Sequence, residues 1–128
     1  MNKIKIMLCV YLHEFRYYAN FKGRASIEYY RSFIRIYAII FFCLMGLAEY
    51  SDEKVFVEIL VIYFFISLFP MLAVMTRRFH DLGKSGWNII DINTLDFIRL
   101  SDKEGSPEPN KYGEKPNDME FIKIKKSQ

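Results

Sequence analysis

Ile59-Leu60-Val61-Ile62-Tyr63-Phe64-Phe65-Ile66-Ser67-Leu68-Phe69-Pro70-Met71-Leu72-Ala73-Val74-Met75-Thr76 is a run of eighteen residues without a charge. Crossing the hydrocarbon layer of a bilayer takes roughly 20 predominantly apolar helical residues, so this run predicts a membrane-spanning helix over about residues 55–76. Pro70 lies inside it. A proline there lacks a backbone donor and predicts a kink, with the freed carbonyl offered to Ser67, water or a neighbouring helix. Directly after the run stands Arg77-Arg78-Phe79-His80-Asp81-Leu82-Gly83-Lys84-Ser85-Gly86-Trp87, which reads as a polar loop at the membrane surface.

Upstream, Tyr50 to Lys54 is a short acidic connection of the kind that joins two antiparallel helices. Before it, Ile36 to Ala48 is uncharged over thirteen residues, with Arg35 and Glu49 at its ends. Thirteen is short for a crossing, but Phe33 and Ile34 extend the stretch, and terminal charges can snorkel toward water. A second span is therefore expected over about residues 33–49. Further back, Ile4, Leu8, Tyr11, Phe15 and Tyr18 recur at spacings of four and three, a single apolar stripe on a helix over 4–19. Basic residues surround the stripe, so this amphipathic helix suits either the headgroup layer or the flank of other helices. Gly23 and Asn20 are expected to end it.

Charge is segregated along the chain. Residues 1–35 hold seven Lys/Arg and two acids, residues 49–58 four acids and one lysine, and residues 77–87 three basic residues and one acid. The positive-inside rule then places the N-terminus, the 77–87 loop and the C-terminus in the cytoplasm, with the acidic connection outside. Lys3 and Lys5 ahead of Ile6–Leu12 loosely imitate a signal peptide, yet His13-Glu14 follow with no small-residue cleavage site. Twelve Phe and nine Tyr are many for one domain of 128 residues to bury, and a bilayer accommodates them. The two cysteines, Cys9 and Cys43, form neither a disulfide framework nor a metal cluster.

Beyond Trp87, Asp91, Asp96 and Arg99 interrupt the apolar residues of 88–100. Each costs roughly 2.5–3.5 kcal/mol at the centre of a spanning helix, against about 0.3–0.6 kcal/mol gained per apolar residue. That excludes a third crossing and favours an interfacial or docked amphipathic helix. From Ser101, Gly105, Pro107, Pro109 and Pro116 with mixed charge predict an irregular polar tail over 101–128.

His80 beside Asp81 has the residue types of a general base and its orienting carboxylate. Adjacent helical residues point about 100° apart, however, and no second ligand pair accompanies them. Asp81 is read instead as a cap or as a partner of Arg77 or Arg78. Gly83-Lys84-Ser85-Gly86 lacks the leading glycine and the strand of a phosphate loop. Arg24 and Glu28 stand four apart, suited to a helical ion pair. No catalytic residue, metal site or cofactor is expected, and no nucleic-acid partner, because no wide basic surface exists. The candidate lipid- or partner-binding residues are Arg24, Arg77, Arg78, His80, Asp81, Lys84 and Trp87, with anionic headgroups as one ligand class.

Two polar clusters joined by two apolar spans resemble the bacterial domain-of-unknown-function family 805. The residues carrying the resemblance are Phe21, Gly23, Arg24, Ala25, Glu28 and Tyr29, then Arg77, Arg78, His80, Asp81, Gly83, Ser85, Gly86 and Trp87, then Asn110, Tyr112 and Gly113. Tyr30 stands where that family tends to have Trp, and residues 88–100 replace a further apolar span, so the chain resembles an atypical member with a degenerate last span. The resemblance implies a small bacterial inner-membrane protein and supplies no enzymatic activity. The combined expectation is an all-α integral membrane protein: an N-terminal amphipathic helix, a two-helix transmembrane hairpin and a polar tail. Its expected role is structural or regulatory, presenting the Gly/Trp loop to lipid, to a second copy of itself or to another membrane protein. Alternatives are a pore-forming or transport-associated oligomer and a membrane enzyme using His80.

Overall fold

In the computed structural model the apolar run lies within one continuous helix far longer than itself. The structure describes residues 2–91 and 93–120, except the side chains of Thr94 and Leu95. Its elements are α1 (Lys3–Arg16), α2 (Ile27–Tyr50), α3 (Lys54–Asp81), a 3-10 turn (Gly86–Ile89) and α4 (Thr94–Asp102). Among the described residues there is no strand, only an isolated bridge between Asn110 and Gly113. The last part of the expected tail, 121–128, lies outside the described residues.

Both long helices are long and apolar enough to cross a membrane. Each extends past the span expected from hydropathy, because local end signals lie outside the apolar core. α2 starts at Ile27, where the Ser26 side chain accepts from the Tyr29 N–H at 3.2 Å and Glu28 sits in the positive first turn. α3 continues through Arg77 and Arg78, cations that favour the negative end of a helix. Residues 77–81, expected to open a loop, are thus helical. The chain leaves α3 at Gly83, whose φ of +74° is cheap only for glycine. Pro70 sits within α3, but Ser67 does not serve the carbonyl that the proline frees. Its hydroxyl donates instead to the Phe64 carbonyl at 3.2 Å.

α1 ends at Arg16, earlier than the stripe suggests, and a turn closed by Asn20 N–H to the Tyr17 carbonyl at 2.9 Å follows. Of its stripe, Tyr11 is buried and Phe15 half-buried, while Ile4, Leu8 and Tyr18 are exposed. The helix therefore packs on the hairpin along one edge only. Tyr11 stacks on Phe33 of α2 (5.4 Å), Phe33 on Tyr37 (6.3 Å), and Tyr37 on Tyr63 of α3 (5.7 Å). The Tyr11 and Tyr63 hydroxyls meet at 2.9 Å, closing the ladder.

Burial is concentrated at one end of the hairpin. Tyr29, Tyr30, Phe33 and Ile36 of α2 meet Val74, Met75 and Phe79 of α3, with Val10 and Tyr11 beside them. Toward the Tyr50–Lys54 connection the large apolar side chains, such as Phe42, Met45, Val61 and Phe65, face outward. Such an exposed apolar collar suits hydrocarbon rather than water. The polar end, by contrast, has a true protein interior, and the site lies there.

Candidate membrane-interface site

Three arginines organise the polar end of the hairpin, and all three are buried. Arg24 precedes α2 and reaches Asp81 of α3, with its Nε donating to Asp81 Oδ1 at 2.9 Å. The other Asp81 oxygen takes Nη1 of Arg78. One carboxylate thus joins two guanidinium groups, leaving a net positive charge that backbone carbonyls must spread. They come mostly from the tail. Arg24 donates to the carbonyls of Ser106, Glu108 (2.9 Å) and Gly113 (3.2 Å). Arg78 donates to those of Leu100 (2.8 Å), Ala25 (3.4 Å) and Lys103. An isolated buried charge costs several kcal/mol, so this supply of acceptors is what permits two buried cations.

Arg77 points to the other side of α3, where it pairs with Glu14 of α1. Its guanidinium also lies 5.5 Å from the Tyr29 ring centre, and the Tyr29 hydroxyl donates to Glu14 at 2.8 Å. His13 Nδ1 meets the same hydroxyl at 2.8 Å. Burial holds the His13 imidazole below its ordinary pKa. Asp118 of the tail accepts from the Ser26 N–H at 2.7 Å, so the tail also holds the start of α2. Burial raises the Asp118 pKa despite that bond. The other Asp118 oxygen, Oδ1, and Arg77 Nε are buried without a hydrogen-bond partner among the described residues.

His80 and Asp81 do not engage each other. His80 Nδ1 stands 2.9 Å from the Gly23 carbonyl, and since a carbonyl only accepts, Nδ1 carries the proton. The ring stacks on Tyr112 with centroids 3.8 Å apart and planes 6° from parallel. The Asn110 amide donates to the His80 carbonyl at 2.9 Å. Gly105 lies so close to Asp81 that a Cβ there would stand 1.8 Å from Oδ2.

The structure therefore separates the seven candidate residues. Arg24, Arg77, Arg78 and Asp81, expected at a lipid- or partner-facing surface, are turned inward and paired. Arg24 precedes the helix it was expected to share with Glu28, and its carboxylate partner is Asp81. Lys84 is exposed and lies 3.8 Å from Asp96. Trp87 is the most exposed apolar member, 79% exposed, beside Ile90 at 74%. Sequence reasoning missed Glu14, Gly105 and Asp118, whose roles depend on partners distant in the chain. It matched Asn110, Tyr112 and Gly113 to the family pattern without seeing that they grip His80 and Arg24.

Beside His80 is an open cavity of about 530 Å³. Leu72, Thr76 and His80, successive turns along one face of α3, form one wall. Trp87 and Ile90 form another, and Tyr112 helps close the polar end. Among the described residues no group of three or more His, Cys, Asp or Glu side chains is placed to hold a metal ion. Cys9 and Cys43 are both free thiols.

A pair of spanning helices, a third helix along their flank and an arginine-centred polar end define a small helical membrane protein. The chain belongs to the family described as protein of unknown function (DUF805), whose model matches residues 18–114 and so includes both arginine clusters and the Asn110–Gly113 turn. It is similar to inner membrane protein YhaH of Escherichia coli strain K12, 31% identical over 117 residues that cover 83% of this chain and 94% of that protein. The YhaH protein of E. coli O157:H7 matches to the same extent. No solved structure matches the chain.

Proposed function

We propose that this is an inner-membrane module with a structural or regulatory role, which uses the segment after α3 as a contact surface for lipid or for a membrane partner. The observation that carries the reading is the division of labour at the polar end. The arginines are consumed internally, whereas Trp87 and Ile90, two large apolar side chains on a segment that follows a spanning helix, are left exposed. A Trp ring at that depth suits the headgroup layer, where its apolar body and its N–H are both accommodated. The likeness to proteins named inner membrane protein supports the location. The charge asymmetry of the sequence supports a cytoplasmic face for the Arg77–Trp87 end.

Topology reporters inserted at residue 52 and fused after the last residue test the orientation. A periplasm-active reporter at 52 and a cytoplasm-active one at the C-terminus are expected, and the reverse pattern would overturn the cytoplasmic assignment. Trp87, the single tryptophan, reports on the contact itself. Its emission is expected to lie to the blue in vesicles and to resist aqueous iodide. Full quenching by iodide would remove the membrane-surface role.

A further inference from the structure

We propose that the cavity beside His80 holds one acyl chain of a bilayer phospholipid, whose headgroup donates a hydrogen bond to His80 Nε2. This rests on the membrane-surface reading of the Trp87 segment and specifies its ligand. The cavity is amphipathic along a known axis. Leu72 and His80 are eight residues apart on α3, about 12 Å at the helical rise of 1.5 Å per residue. The Leu72 end lies within the uncharged run, and the His80 end beside Arg77, Arg78 and Asp81. An occupant therefore meets hydrocarbon-like walls toward the membrane and a polar group toward its surface. That is the orientation of a lipid in the adjoining leaflet. A volume of about 530 Å³ falls in the range of about 300–1,000 Å³ typical of small-ligand sites. The wall formed by Trp87 and Ile90 is itself exposed to the surroundings, so a lipid beside the protein can reach the cavity lining.

The headgroup chemistry follows from how His80 is fixed. Its Nδ1–H is held by the Gly23 carbonyl and its ring by Tyr112, so the tautomer and plane are both set. In the tautomer with its proton on Nδ1 the acceptor is Nε2, and no described residue donates to it. A hydrogen-bond acceptor at the polar end selects a headgroup with an N–H or O–H donor, such as ethanolamine or glycerol. Choline, a quaternary ammonium, has no such hydrogen.

The test uses the full chain in phosphatidylcholine vesicles containing a minor fraction of phospholipid with brominated acyl chains, reading Trp87 quenching. Brominated phosphatidylethanolamine is expected to compete for the site roughly two- to tenfold better than brominated phosphatidylcholine, the range of one net hydrogen bond. His80→Phe, which keeps an aromatic face for Tyr112 but removes the acceptor, should make the two lipids equal. Leu72→Phe narrows the tail end and should lower quenching by both, with helicity by circular dichroism unchanged. Equal quenching by the two lipids in the wild-type chain would overturn the proposal while leaving the membrane-surface role intact. A headgroup preference that survives His80→Phe would overturn it too. Displacement of the signal by a soluble monoacylglycerol, with no preference among phospholipids, would assign the cavity to a free amphiphile instead. Absence of quenching by any brominated lipid, with ready quenching by iodide, would remove both readings.

Discussion

At the scale of single residues, Asp81 has the largest expected effect. It is the one carboxylate shared by Arg24 and Arg78, and breaking a buried ion pair by removing one partner costs about 3–5 kcal/mol. Asp81→Asn should therefore lower the thermal midpoint of the detergent-solubilised protein far more than a change at exposed Lys84, measured by circular dichroism. Gly105→Ala should also destabilise, by about 1–3 kcal/mol, because the added methyl has no room against Asp81. Two groups give pH effects of opposite sign. His13 is held below its ordinary value of 6.5, so the native state binds fewer protons than the unfolded chain. Its contribution is complete above that value and is lost as the pH falls below it. The thermal midpoint should thus fall between about pH 7 and pH 5, and less steeply in His13→Gln. Asp118 is raised above its ordinary 3.8, so its contribution is greatest in acid and declines as pH rises through the folded value. Asp118→Asn keeps an oxygen for the Ser26 N–H, and should leave stability at neutral pH unchanged or higher.

At the scale of elements, the long apolar helix was readable because hydropathy and length decide it without reference to anything distant. The Ser26 cap is also a local signal, but the sequence reading passed over it. The ends of α3 were less legible. Arg77, Arg78 and Asp81 look like a surface loop when polarity is the guide, yet they continue the helix because each finds a buried partner: Glu14, then Asp81 with tail carbonyls, then Arg24. Residues 101–118 carried the weakest signal of all. Prolines and mixed charge describe an irregular segment correctly, but nothing in composition says that backbone carbonyls are its contribution. Main-chain acceptors are the same for every residue type and leave no trace in sequence. Gly105 is the nearest to a clue, since a close backbone approach is one reason for glycine outside a turn. Ser26→Ala should cost about 1 kcal/mol through the lost cap, with α2 fraying at its start as seen by faster amide exchange near Tyr29.

At the scale of the whole molecule, the chain has two unlike parts: an apolar collar whose stability depends on the bilayer, and a polar end held as a protein interior. They should respond differently to their surroundings. Detergent exchange is expected to perturb the collar, while loss of the tail should collapse the polar end. A chain stopped after Asp102 retains Arg24, Arg78 and Asp81 but lacks the carbonyls of Lys103, Ser106, Glu108 and Gly113. Such a chain should still insert and yet fail to accumulate, seen as normal membrane targeting with a shortened half-life in a pulse-chase measurement. Equal half-lives would show that the tail is dispensable.

Those carbonyls also impose an order of events during synthesis. Arg24 and Arg78 leave the ribosome before most of their carbonyl acceptors, those at Leu100, Lys103, Ser106, Glu108 and Gly113. At roughly 5–20 residues per second, the two guanidinium groups wait seconds for partners that do not yet exist. During that interval they must stay at the watery face of the membrane. The arginines are therefore expected to hold both helices back from over-insertion until the tail arrives to take them in.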